Sequence, residues 1–214
     1  MKRPAGPGNT LVWQIQSLLL DYPDERFPER LALALQVAAD GPEPVGHPLV
    51  RFAECAGRTP LPELAADYVA TFDHRKRCCL YLTYYAHGDT RRRGMAMLRL
   101  KQTYAAAGWR LSDDELPDHL AVVLEFAAAD PVAGARLLTE HRAGLELLRL
   151  ALNDEGSPWA HVLDSVSATL PALAGDDREA VMRLAAQGPP EEQVGLDPYA
   201  SPVLLPDPVV GGPR

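Results

Sequence analysis

The sequence predicts an all-α fold: a single-domain compact bundle of about ten helices, followed by a proline-rich C-terminal tail. Three observations carry this expectation. Apolar residues recur at helical spacing along most of the chain, and the alternation typical of strands is nearly absent. Proline, glycine and capping residues interrupt that pattern and leave only short connections. After Gly188 the pattern stops and prolines take over.

Thr10 is placed to cap a first helix through about Leu20, which the turn at Asp21-Tyr22-Pro23 ends. A second helix covers Pro28 to Ala39 and stops at Gly41-Pro42, a third covers about Pro48 to Ala56, and a fourth runs from Pro62 through Phe72. The fifth spans about Arg75 to Ala86 and ends at Gly88, after which Asp89 reads as the N-cap of a sixth lasting until Gly108. Pro117 is expected at the first position of a seventh helix, through Ala129. Pro131 opens an eighth, in which Leu138, His141, Leu145, Leu148 and Leu152 form one continuous face. Shorter helices follow at about Ser157 to Leu170 and Asp176 to Gln187. Residues 1–9 thus read as a flexible N-terminus, 10–187 as the helical domain, and 188–214 as an extended or disordered tail, broken by seven prolines from Pro189 to Pro213.

Composition limits the function. The 214 residues carry 29 acidic and 21 basic side chains, a formal net charge of −8, which gives no global field for nucleic-acid phosphates. Cys55, Cys78 and Cys79 lack the spacing of a disulfide framework and read as reduced thiols. Leu11 to Leu20 is interrupted by Gln14, Gln16 and Ser17, so it makes a poor signal-peptide core, and no run reaches the roughly 20 apolar residues of a membrane span. The expectation is a cytoplasmic protein not inserted in a membrane. The six histidines are scattered without metal-ligand spacing, and there is no nucleophile elbow or phosphate-binding glycine loop. The chain therefore reads as a non-enzyme, with no catalytic residue, no metal ligand and no stably bound cofactor.

One stretch is unusual. Eight of the 21 basic residues fall between Arg75 and Lys101, in an otherwise acidic chain. Arg91, Arg92 and Arg93 lie in the first turn of the expected sixth helix, where the macrodipole disfavours cations by roughly 0.3–1 kcal/mol each at low salt. This conflict marks either a functional basic patch or a set of ion pairs stapling the bundle. Tyr81, Tyr84 and Tyr85, at i, i+3 and i+4, share one side of the expected fifth helix, next to Leu82. They fit either a surface receiving an amphipathic peptide or a buried tyrosine layer. Pro117-Asp118-His119 reads as a helix start that also presents a carboxylate and an imidazole.

Taken together, Tyr68-Val69-Ala70-Thr71-Phe72-Asp73, Leu80-Tyr81-Leu82-Thr83-Tyr84-Tyr85, Gly88-Asp89-Thr90-Arg91-Arg92-Arg93-Gly94, Glu115-Leu116-Pro117-Asp118-His119-Leu120 and Leu124-Glu125-Phe126 resemble the NarJ family. This family comprises nitrate reductase delta subunits, or molybdenum cofactor assembly chaperones, within the wider TorD and DmsD group. Leu18-Leu19-Leu20-Asp21-Tyr22-Pro23 is also similar. The resemblance covers most of Leu11 to Ala129 and is weak beyond Pro131. It implies an all-helical chaperone that binds the apo catalytic (alpha) subunit of respiratory nitrate reductase, including its N-terminal segment. Such a chaperone supports insertion of the molybdenum cofactor into that client before membrane docking, with cofactor-biosynthesis proteins as further partners. The resemblance implies client contacts at Tyr68, Phe72, Pro117, Asp118 and His119. To these the residue pattern adds a groove with Tyr81, Leu82, Tyr84 and Tyr85, and Arg91, Arg92 and Arg93 as a patch for acidic client surface or cofactor phosphates. On this reading, replacing Asp118 or Tyr85 weakens peptide binding and leaves melting nearly unchanged. Maturation of another molybdoenzyme, or nucleic-acid binding through the basic hairpin, is the alternative.

Overall fold

The computed structural model describes residues 9–112, 114–173 and 175–187. The expected tail at 188–214 and most of the expected flexible N-terminus lie outside them. The described residues form eleven α-helices and no strand: α1 (Thr10–Leu19), α2 (Phe27–Asp40), α3 (Glu43–Ala56), α4 (Leu61–Phe72), α5 (Leu82–His87), α6 (Arg91–Ala106), α7 (Leu120–Ala129), α8 (Pro131–Glu140), α9 (Arg142–Asp154), α10 (Ala160–Thr169) and α11 (Asp176–Gln187).

α7 is the axis of the bundle. Its sequence, Leu-Ala-Val-Val-Leu-Glu-Phe-Ala-Ala-Ala, is apolar nearly all round, and seven of its ten residues are buried, as expected of a helix enclosed by neighbours. α1 lies across it, and Ser17 Oγ donates to the Ala121 carbonyl at 2.8 Å. α1 is also pinned to α10: Trp13 Nε1 donates to Thr169 Oγ1 at 3.0 Å and Gln16 Nε2 to Ser165 Oγ at 2.8 Å. α2 and α3 pack as a hairpin so close that a Cβ on Gly46 would sit 2.3 Å from the Ala38 carbonyl oxygen. An aromatic cluster of Phe52, Tyr68, Phe72 and Trp159 joins α3 and α4 to the start of α10.

Several elements differ from the sequence expectation. Asn9, not Thr10, takes the N-cap position of the first helix, and the third begins at Glu43, five residues before Pro48, which lies inside it. The fifth helix does not start at Arg75: Lys76–Cys78 form one 3-10 turn, Cys79 is extended, and the helix begins only at Leu82. Cys78, Cys79 and Leu80 are all buried, a run no amphipathic surface helix tolerates. The seventh helix begins at Leu120, not Pro117, because Pro117 and Asp118 form a turn and His119 is extended. The sixth helix has Thr90, not Asp89, at its N-cap position. The expected eighth helix is two, broken at His141 (φ −98°, ψ 15°). The break lets α8 lie on α7 while α9 packs on α5, α10 and α11. The face expected to be continuous survives as two buried pieces, Leu138 on α8 and Leu145, Leu148 and Leu152 on α9.

α9 and α10 are joined by a polar network that periodicity does not reveal. Glu146, 2% exposed, pairs with Arg142 at 3.0 Å and Arg149 at 2.7 Å, and accepts from Ser167 Oγ at 2.7 Å. Arg149 continues to Asp164 at 2.9 Å.

Candidate functional site

Two non-helical segments meet beside α7 and form the site. Leu80–Leu82 runs antiparallel to Asp118–Leu120: the Leu82 N–H donates to the Asp118 carbonyl at 2.9 Å, and the Leu120 N–H to the Leu80 carbonyl at 2.8 Å. Tyr81 and His119 stand opposite each other between these bonds, the position in an antiparallel pair where side chains come closest. Their rings meet edge to face with centroids 5.6 Å apart. Burial pushes the His119 imidazole below its ordinary pKa of 6.5, against the opposing pull of Asp21, Asp118 and Asp73.

Tyr81 is a ridge between two clefts. The larger, about 390 Å³, is walled by α1, the 114–119 loop and α7. Its floor is apolar, from Leu18, Ala121 and Val122, and its rim carries the exposed Leu116 and the acidic Asp21, Asp114, Glu115 and Glu125. No ion pair holds Asp114, Glu115 or Glu125 among the described residues, while Asp21 lies 3.6 Å from Arg30. Burial, then Glu115 and Asp21, hold the Glu125 pKa above its ordinary value of 4.5. The smaller cleft, about 260 Å³, is lined by Phe72, Asp73, Lys76, Cys79, Tyr81, Tyr84, Asp89 and Arg93.

The expected contact residues divide between surface and interior. Tyr81 and His119 face the acidic cleft; Phe72, Tyr81 and Tyr84 share the smaller one. Leu82 and Tyr85 are core, 1% and 3% exposed. The Tyr85 hydroxyl sits 3.0 Å from the carbonyls of both Arg77 and Cys79, and its ring covers Gly144 of α9, where a Cβ would come 2.9 Å from the Tyr85 Cβ. Tyr68 donates to the Leu20 carbonyl at 2.8 Å inside the aromatic cluster. Pro117 is buried, and its carbonyl accepts from Tyr104 at 2.7 Å.

Asp118 is wholly buried, not a free surface carboxylate. Its Oδ2 accepts from Thr83 Oγ1 and lies 3.4 Å from Arg93 Nη2. Arg93 also reaches Asp89 at 3.1 Å, and its guanidinium stands 5.2 Å from the Tyr81 ring centre. The expected three-arginine patch is therefore split. Arg93 turns inward to neutralise Asp118, while Arg91 and Arg92 are exposed in the first turn of α6. Arg75 and Arg77 both pair with Glu155 at the end of α9, so part of the basic hairpin staples the bundle. Asp118 and Tyr85 are buried, so replacing either is expected to cost stability as well as any peptide binding, where the sequence alone predicts nearly unchanged melting.

The acidic rim went unnoticed as a charge set. Asp21 lies far in sequence from Asp114, Glu115 and Glu125, and only the packing of α1 on α7 brings it to them.

The family model for the nitrate reductase delta subunit matches residues 38–164. The chain is 42% identical over 160 residues to the nitrate reductase-like protein NarX of Mycobacterium tuberculosis, covering 74% of this chain but only 24% of that longer protein. It is 35% identical over 165 residues to NarJ of Bacillus subtilis, which is named for nitrate reductase molybdenum cofactor assembly as a chaperone, covering 75% of this chain and 88% of that one. A crystal structure of a redox enzyme maturation protein from Archaeoglobus fulgidus superposes with a TM-score of 0.55 at 21% identity, over 82% of this chain and 93% of that chain. The latter likeness establishes the fold.

Proposed function

The chain belongs to the nitrate reductase delta subunit family, and on that premise we propose that it is a maturation chaperone, not a catalyst, for a molybdenum-dependent nitrate reductase. It acts in the cytoplasm and holds the apo catalytic subunit by an N-terminal segment until the molybdenum cofactor has been inserted. The cofactor is cargo for the client and has no resident site on this chain.

The observation that carries this reading is the cleft beside Tyr81 and His119, with its apolar floor and acidic rim. Those chemistries together suit a basic amphipathic helix, with apolar side chains down and cationic side chains toward the rim. Apolar surface removed from water on the floor contributes at about 25 cal/mol per Å². Each exposed charge pair adds roughly 0.2–1 kcal/mol and mainly sets register and partner choice. Holding the segment this way needs no chemistry from the chaperone. It hides a sticky, charged helix and is reversed once the client buries that segment elsewhere.

Affinity capture of the full chain from cells respiring nitrate tests the proposal. Recovery of a cofactor-free catalytic subunit of nitrate reductase is expected. Recovery of nucleic acid, or of no molybdoenzyme subunit, contradicts it.

A further inference from the structure

Only Leu100 and Tyr104 of the sixteen residues of α6 are buried. Arg93 shares that inward side, while the opposite side is open. At 100° per residue, Met95, Leu98 and Gln102 form its outer centre, with Arg92 and Arg99 on one flank, Lys101 on the other and Arg91 at its start. Met95 is 58% and Leu98 47% exposed. None of Arg91, Arg92, Arg99 and Lys101 makes an ion pair with another described residue, and a Cβ on Gly94 would touch nothing within 4 Å. This is a basic helix with an apolar centre, the kind of ligand the acidic cleft suits.

We propose that the outer face of α6 docks in the acidic cleft of a second copy of this chain. Both halves of the interface are therefore carried by one molecule, which favours a second copy over an unrelated acidic partner. Arg91, Arg92, Arg99 and Lys101 face Asp21, Asp114, Glu115 and Glu125, while Met95 and Leu98 meet Leu18, Leu116 and Val122. The geometry also permits closure. Tyr81 lines the acidic cleft and also the smaller cleft that Asp89 and Arg93 share at the start of α6, so the acceptor cleft lies close to the N-terminal turn of the donor helix. A two-fold axis there lets each copy give its α6 and receive its partner's, forming a closed dimer and not a filament. The formal net charge of −8 on each copy opposes approach, but repulsion is screened beyond about 8 Å at physiological ionic strength, which leaves the local complementarity in control. The dimer uses the same cleft as the proposed client segment, so dimerisation and client capture exclude each other. A client-free chaperone thus keeps its own cleft covered.

The test is light scattering of the full chain over a concentration series. At about 0.15 M salt the mass should rise above 23.3 kDa towards twice that value, and return to the monomer near 1 M salt, where the screening length is about 3 Å. The double variant Arg91→Glu/Arg92→Glu should be monomeric, as should Glu115→Lys/Glu125→Lys. All four positions are exposed, and circular dichroism should show both variants folded. Mixing the two variants should restore the dimer, since both contacts then pair opposite charges. A monomer at every concentration overturns the proposal. So does a dimer that survives either reversal, failure of the mixture to associate, or dimerisation only after residues 188–214 are deleted, which would make the tail the occupant. The client reading fails separately: its test is peptide binding by the monomeric Arg91→Glu/Arg92→Glu variant, whose cleft is intact.

Discussion

At the residue scale, the three consecutive arginines occupy two different environments, and this separates their energetics. Arg93 compensates a carboxylate with no exposure to water, whereas Arg91 and Arg92 are exposed in the first turn of α6. Arg93→Ala leaves Asp118 buried with the Thr83 hydroxyl as its remaining side-chain donor, and is expected to cost about 3–5 kcal/mol. Arg91→Ala and Arg92→Ala should stay within about 0.5 kcal/mol of the parent. Urea denaturation of the three variants checks this. The two half-buried imidazoles give a pH dependence. Burial lowers the pKa of His119 and of His141, the latter against the pull of Glu140 and Asp118 and with help from His87. Both bind protons less readily folded than unfolded, so their contribution to stability is full above pH 6.5 and is lost as pH falls through the folded-state values. Denaturation midpoints should drop on acidification through that window, and His141→Gln should flatten the drop. The sequence named the residue types at this corner, Tyr81, His119, Asp118 and the arginines. It did not tell inward from outward, because the extended Leu80–Leu82 segment changes which side chains share a face.

At the element scale, glycines report how tightly helices pack. A Cβ on Gly134 of α8 would fall 2.2 Å from the Ala127 Cα of α7, a backbone atom that cannot swing aside. Gly134→Ala should therefore destabilise by at least about 1–3 kcal/mol, the usual range for overpacking. Gly94 of α6 has open space around it, so Gly94→Ala should stabilise by about 0.5–1 kcal/mol through helix propensity alone. Thermal melting should move in opposite directions for the two. Helix existence was legible from periodicity and from Pro28, Pro62 and Pro131, each near the start of its helix. Helix continuity was not. The break at His141 is set by which neighbours α8 and α9 pack against. The late start of α7 is set by the pairing of His119 with Tyr81, and neither is a local property.

At the scale of the whole molecule, the eleven helices bring acidic side chains from residues 21 and 125 to one rim and leave a basic helix facing outward. The stretch singled out by the family resemblance, Tyr68 to Phe126, falls within the region at residues 38–164 that the family model matches. The cleft itself was hidden, because its α1 wall lies outside that region and Asp21 is far in sequence from Asp114, Glu115 and Glu125. The claim that this cleft receives a basic client segment is tested most directly by isothermal calorimetry. The titrant is a synthetic peptide of the N-terminal segment of the host's nitrate reductase catalytic subunit. Binding to the parent chain is expected, with Glu115→Lys/Glu125→Lys weakening it by at least roughly tenfold, about 1.4 kcal/mol. Full-strength binding by that folded variant, or no binding by the parent, would contradict the assignment of the cleft.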